Sequence, residues 1–359
     1  MMGGKSCRVL CLCVLVGLLV PTGSISGQAL VVVNSKDAQA VLVDPLTQEI
    51  LARLPTGPDP REVAVSPDGR YAYVTSHVGD AALSGDVLLG DAPAPANGSV
   101  ADSSRFATVT VLDLESRKVL TTFRPGPFGQ LHGIWVGHSG ERLWMTAEAD
   151  SGIVELNAHT GEVLMLWKTG GAMSHTVVAG PQNRRVYVAN GSSSSITVID
   201  RFTVVPTRIK TGRGPEGLAL SPNSGELWVS NRGDHTVTII DTDDLKELAR
   251  FPSGGLDPVR LRFHPDGLEV WVANRQSRSI AVIDVASAAV LETIELAVEP
   301  RSIVFSAAGD RAFVSSPLSH EVYMIDVATR TVLGSFRSGS APHGLAWSHL
   351  GGARADASR

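Results

Sequence analysis

The chain has 359 residues, of which 43% are apolar and 19% charged, with a formal net charge of −5. That is apolar material enough for a large core and too much for a disordered chain, and the sign of the charge excludes general attraction to nucleic acid or an anionic membrane. Its three cysteines, Cys7, Cys11 and Cys13, all lie near the N-terminus, so the remainder has neither disulfides nor thiol chemistry.

The first element in chain order is a leader. Lys5 and Arg8 precede an apolar run from Val9 to Val20, and small residues follow from Pro21 to Ala29. Such a run is short for a membrane span, and basic, apolar, then small is the order of a secretory signal peptide. Residues 1–29 are therefore expected to be removed after Ser26 or Ala29, releasing a secreted or periplasmic protein with no membrane span. Cys11 and Cys13 sit inside the apolar run and not behind a lipobox, which argues against a lipid anchor.

Residues 30–350 read as one repeat domain. Between Arg213 and Phe251 four short runs rich in Val, Ile, Leu, Thr and Trp are bounded by Gly, Pro, Asn, Asp or Ser, the pattern of strands joined by tight turns. The proline before the first run recurs as Pro215, Pro258, Pro300 and Pro342. The acid that closes the third recurs as Asp44, Asp113, Asp200, Asp241, Asp284 and Asp326, with Asn157 in the remaining place. Four strands repeated about every 42 residues make a propeller blade, and the fold class is all-β. Complete repeats begin near Arg61, His132, His175, Glu216, Val259 and Arg301. Residues 30–54 hold only the last three strands of a repeat, and Pro342 to Ser348 supply the missing first one. Pairing the two ends gives a closed seven-bladed ring without exposed sheet edges. Between Ser76 and Phe106 an insert rich in Gly, Ala, Ser, Asp and Pro (77–106) reads as a long surface loop, and the polar tail 351–359 is expected to fray.

Several of these repeats share a wording. Ser66-Pro67-Asp68-Gly69, Tyr73-Val74-Thr75-Ser76, Tyr187-Val188-Ala189-Asn190, Trp228-Val229-Ser230-Asn231 and Trp271-Val272-Ala273-Asn274 resemble the YVTN-type β-propeller repeat. The resemblance covers the mature chain apart from the insert and implies a secreted or surface propeller. Lactonases, streptogramin-type lyases and the haem-binding propeller of nitrite reductases have similar blades. The lyase-like relatives carry a His-Gly at the start of a strand, here His343-Gly344, and a run similar to Trp144 to Glu148. None of those activities follows from the repeat by itself.

Residues that recur in every blade are read as scaffold. The Pro-Asp-Gly turns set backbone angles, the strand-closing acids accept backbone N–H groups, and Tyr73, Trp144, Tyr187, Trp228 and Trp271 pack between blades. His138, His159 and His264 fall in turns and share that reading. Departures from the repeat are more informative. One rim of the ring should collect the residues at the starts of the first strands (Arg61, His132, His175, Glu216, Val259, Arg301, His343) together with the ends of the second. The latter give Asn190, Asn231, Asn274, His77, Glu148, Arg232 and Arg275. His132, Glu148 and His175 in adjacent blades are ligand types for a divalent metal ion, and with His343 they could serve as acid and base. Arg61, Arg232, Arg275 and Arg301 could hold an anion together with Asn190, Glu216, Asn231 and Asn274, unless each pairs with a local acid, as Asp234 could do for Arg232. No cofactor is certain, and a divalent metal ion is the one the residues suggest. A monomeric scaffold that binds a small molecule or a protein at this rim is expected, the alternative being a metal-assisted lactonase or lyase.

Overall fold

The computed structural model describes residues 27–77, 106–203 and 205–349. The leader through residue 26, residues 78–105 of the insert and the tail expected to fray lie outside the described residues. Among the described residues 28 strands form seven four-stranded antiparallel sheets. Chain order begins with β1 (Ala29–Asn34), β2 (Gln39–Val43) and β3 (Ile50–Pro55). Blade 1 follows as β4 (Pro60–Val65), β5 (Tyr71–Ser76), β6 (Val109–Asp113) and β7 (Lys118–Phe123), and blade 2 as β8 (Leu131–Val136), β9 (Arg142–Ala147), β10 (Gly152–Asn157) and β11 (Val163–Lys168). Blade 3 comprises β12 (Ser174–Ala179), β13 (Arg185–Asn190), β14 (Ser195–Asp200) and β15 (Pro206–Lys210), and blade 4 comprises β16 (Pro215–Leu220), β17 (Glu226–Asn231), β18 (Thr236–Asp241) and β19 (Glu247–Pro252). Blade 5 runs through β20 (Pro258–Phe263), β21 (Glu269–Asn274), β22 (Ser279–Asp284) and β23 (Val290–Glu295), and blade 6 through β24 (Ser302–Phe305), β25 (Arg311–Ser316), β26 (Glu321–Asp326) and β27 (Thr331–Phe336). β28 (Pro342–Ser348) then pairs with β1 to complete blade 7.

Burial explains why the strands read as continuous apolar runs. β1, β9, β13, β17 and β21 are buried on both faces because each sheet is covered by a neighbour on either side, whereas the outermost strands such as β3 and β7 are largely exposed. The aromatic side chain on the second strand fills the layer between sheets. Trp144, Trp228, Trp271 and Tyr73 are fully buried. Trp228 meets Phe263 of the next blade edge-on at 5.7 Å, and Trp271 meets Phe305 at 5.2 Å, the geometry that a ring quadrupole favours. Each indole N–H of these two is satisfied within its own strand: Trp228 donates to Glu226 at 2.8 Å and Trp271 to Glu269 at 3.0 Å.

The strand-closing acids do what turn residues do. Asp44 accepts the N–H groups of Leu46 and Thr47 at 2.8 and 3.0 Å, and Asn157 accepts those of His159 and Thr160 at 2.9 and 3.0 Å. His138 and His264 bind turn and loop atoms, Asn183 and Gly309 respectively, as scaffold residues should.

Closure follows the expected route, with one change of boundary. Ala29 pairs with Ser348 and Leu30 with Trp347, and the ladder reaches Asn34 opposite Pro342. Ala29 is fully buried in this ladder, so the domain starts one residue before the expected position 30. Cleavage after Ser26 would keep that residue. Among the described residues no helix is long and apolar enough to cross a membrane.

Removing β28 by ending the chain after Ala341 should abolish cooperative thermal unfolding, because β1 then has an unpaired edge and the neighbouring blades lose a wall. A chain ended after His349 should retain the full transition. Circular dichroism melts of the two distinguish them.

Candidate functional site

The site is built from one position repeated round the ring. Six of the seven innermost strands, all but β24, start just after a residue in the left-handed region: Asp59 (φ 47), Gln130 (φ 58), Met173 (φ 60), Gly214 (φ 65), Asp257 (φ 59) and Ala341 (φ 57). The strand then slips register against its partner, between Pro60 and Val63, Leu131 and Ile134, Ser174 and Val177, Pro215 and Leu218, and Pro258 and Arg260. A bulge at that point re-aims the second residue of the strand. Arg61, His132, His175 and His343 thereby reach one cavity of about 650 Å³ to which every blade contributes, and Arg301, just before the unbulged β24, reaches it as well.

Small residues and hydroxyls hold this arrangement. A Cβ on Gly133 would lie 2.6 Å from the carbonyl oxygen of His175, and one on Gly344 would lie 2.7 Å from that of Arg61. Only glycine lets the next blade approach so closely. Thr75 donates its hydroxyl to the carbonyl of His132 at 2.6 Å, Thr146 to that of His175 at 2.8 Å, and Ser315 to that of His343 at 2.6 Å. Each donor belongs to the preceding blade, so all three histidines have their backbone tied to a neighbour.

The imidazoles come together. His132 and His175 have ring centroids 4.0 Å apart, and His343 lies 6.0 Å from His132. Glu148 sits between His77, at 3.2 Å, and His175, at 3.7 Å. Burial pushes the His175 imidazolium down to about 3; Glu216 opposes the shift, while Arg260 and Arg301 add to it. His132 is lowered well below the ordinary value by burial and then by His175, and His343 by burial and then by Arg301 and Arg61. All three rings are neutral at physiological pH, which leaves each with one nitrogen able to accept a proton, a hydrogen bond or a metal ion.

The anion-binding set divides. Arg61, Arg232, Arg275 and Arg301 all line the cavity, but each already has a carboxylate. Arg61 meets Asp59 at 2.6 Å, Arg275 meets Asp257 at 2.6 Å, and Glu216 takes Arg232 and Arg301 at 3.0 Å each. Asp234 is not the partner of Arg232; its carboxylate accepts the backbone N–H of Arg213, and Arg232 turns to Glu216 and Asp257. Burial alone would raise the Glu216 carboxyl, yet Arg301 and His175, with Arg260 and Arg232, hold it at about 2. Glu216 is a fixed counter-ion behind the wall and not a contact surface.

Three expected ligand contacts must be withdrawn. Asn190, Asn231 and Asn274 are fully buried and bind scaffold. Asn190 donates to Thr197 at 2.8 Å, Asn231 to Thr238 at 2.8 Å, and Asn274 to the carbonyl of Ser253 at 3.3 Å. At the end of the second strand the side chain turns back between strands, where a buried amide must find partners. Sequence reasoning also missed two central residues. Glu62 and Arg260 follow the repeated position by one residue and form an ion pair across the channel between blades 1 and 5. The signal was present, because their counterparts in blades 2, 4 and 7 are Gly133, Gly217 and Gly344.

Among the described residues two groups of three could hold a cation: His132, Glu148 and His175, and Glu62, His132 and His343, with ligand atoms within 4.8 Å of one another. His132 Nδ1, His343 Nδ1 and Glu148 Oε1 are buried without a hydrogen-bond partner, so atoms in both groups await one.

Comparison with known proteins agrees with the fold. The profile of the family described as lactonase, 7-bladed beta-propeller, matches residues 178–299, about a third of the chain. The periplasmic gluconolactonase PpgL of Pseudomonas aeruginosa superposes with a TM-score of 0.69 at 16% identity, covering 89% of this chain and 99% of that one. A protein of unknown function from Desulfotomaculum acetoxidans gives 0.72 at 14% identity over 89% and 99% of the two chains. Hydrazine synthase of Kuenenia stuttgartiensis gives 0.66 at 16% identity over 82% and 91%. At such identities the likeness is one of architecture. No curated protein matches the sequence. The chain is a seven-bladed propeller, similar in fold to lactonase-type propellers.

Because the three imidazoles bind protons near pH 6.5 when unfolded and far less readily when folded, their contribution to stability is complete above that pH. It falls away as the pH drops toward about 3, where His175 titrates. In metal-free buffer the urea midpoint should decline from pH 7 to pH 5, and His175→Gln should flatten that slope.

Proposed function

We propose that the mouth binds a small, oxygen-rich anionic molecule carrying a cyclic ester, and that water opens the ester there. The observation that carries this reading is the convergence of three neutral imidazoles, Glu148 and four arginines on one cavity of about 650 Å³, a size and polarity suited to a small ligand. The lactonase-type match supports it with limits, since residues 178–299 contain Glu216, Arg232 and Arg275 but neither the histidines nor Arg301. The leader read at residues 1–29 would deliver the site outside the cytoplasm.

In this mechanism water lies between the imidazoles and Glu148, whose Oε1 is buried without a donor. The water oxygen bonds to the ester carbonyl carbon while its proton passes to Glu148. The carbonyl electron pair moves onto oxygen, where the guanidinium groups of Arg61 and Arg301 meet the developing charge. When the ring C–O bond breaks, the leaving oxygen takes the proton back from Glu148. The imidazoles orient water and substrate hydroxyls without adding a charge that would repel the arginines.

Purified protein should release acid from a sugar lactone that also carries a carboxylate, such as glucaro-1,4-lactone, faster than buffer, measured at constant pH by titration. Glu148→Gln and His175→Ala should each lower kcat/KM by about 100-fold. If wild type turns over no sugar lactone yet gains thermal stability from the corresponding acids, the binding scaffold stands and the chemistry does not.

A second reading uses the same atoms differently. His132, Glu148 and His175 would hold a divalent ion, favoured by the unpartnered His132 Nδ1 and Glu148 Oε1, and a bound ion would supply Lewis acidity at the carbonyl. Zinc added to metal-free protein should then bind one to one, as read by calorimetry, and His132→Ala should abolish binding. Full lactone turnover in the presence of a chelator removes this reading.

A further inference from the structure

Beneath the mouth the channel is crossed by the Glu62–Arg260 pair, and below the pair lies a second cavity of about 410 Å³. Its character is different. Val65, Val136, Val178, Leu218, Phe305 and Trp347 contribute to an apolar wall. Into this wall projects Arg262, one turn of the pleat beyond Arg260 on β20. Among the described residues the one acceptor its guanidinium finds is the carbonyl of Ile303, at 3.4 Å, and no carboxylate pairs with it, since the nearby Glu62 is engaged by Arg260. Trp135 and Trp347, both on the cavity wall, have indole N–H groups that are buried and lack an acceptor.

Three donors with one weak acceptor among them, set beside an apolar wall, are an uneven arrangement. The Arg262 side chain is exposed to the channel and has no carboxylate to give up, and the two buried indole N–H groups gain an acceptor when an anion arrives. The walls specify the rest of that anion, because a volume in the range of small-molecule pockets lined by Val, Leu, Phe and Trp favours an apolar body. The roof limits its charge. Glu62 presents a carboxylate directly above, so a dianion such as phosphate would be repelled, and a single guanidinium fork matches a single carboxylate.

We propose that this lower cavity is a second binding site, for a small amphipathic monocarboxylate whose apolar tail lies along the channel and whose carboxylate meets Arg262. The site is independent of the chemistry assigned to the mouth, from which the Glu62–Arg260 pair divides it.

Octanoate serves as the probe, with octanol and octylammonium as matched uncharged and cationic controls. Trp135 and Trp347 report binding by their fluorescence, and calorimetry gives the stoichiometry. The wild type should bind octanoate one to one and saturably, and neither control should compete. Arg262→Gln should weaken binding at least about tenfold, Arg262→Lys should retain part of it, and Arg61→Gln at the mouth should leave it unchanged. Thermal midpoints establish that each variant is folded, and if Arg262→Gln is not, the comparison of the three probes on wild type decides alone. Absence of saturable octanoate binding, equal binding of octanol, or sensitivity to Arg61→Gln in place of Arg262→Gln would each overturn the proposal.

Discussion

The hydrogen-bonded seam between β28 and β1 is the constraint from which the rest follows. One blade has two exposed faces and cannot exist alone, and seven blades in an open arc would leave two terminal edges and two uncovered faces. Joining the last strand to the first removes all of these together. It also turns a linear repeat into a circle, so that a position recurring along the chain becomes a set of neighbours around one opening. His132, His175 and His343 share a cavity only because the seam is closed.

Within that circle, function and scaffold are separated by a single residue. In blades 1, 2, 3 and 7 the second residue of the innermost strand faces the mouth, and the next is squeezed against the following blade, where glycine is required at Gly133 and Gly344. The hydroxyls of Thr75, Thr146 and Ser315 tie the histidine carbonyls across blade boundaries. A side chain at the mouth is therefore positioned by two blades, its own and the one before it. Such dual support is what a preorganised polar site in a partly dry cavity requires.

The blade count, the strand-closing turns and the pairing of the ends were legible in the sequence, because short apolar runs and turn residues recur at a fixed spacing. The mouth was legible where it departs from the repeat, at Arg61, His132, His175, Arg301 and His343, with Glu216 behind them as a counter-ion. It was misleading where it follows the repeat. Asn190, Asn231 and Asn274 recur because the scaffold needs a buried amide there, and that regularity was itself the sign that they are not ligand contacts. Charge pairing could not be read at all. Arg232 chose Glu216 and Asp257 over Asp234, and Glu62 found Arg260 on a blade nearly opposite, distances that sequence separation does not encode. The left-handed residues before the strands were equally hidden, since Asp59, Gln130, Met173, Asp257 and Ala341 are not glycines.

The place of His343 in the chain has a temporal consequence. It lies on β28, which follows the other strands of the ring along the chain and also seals it. A nascent chain that has produced every other blade still has no finished mouth, and its arginines and imidazoles stand apart in an unclosed arc. Whatever the mouth captures, only a chain whose ring has closed can capture it.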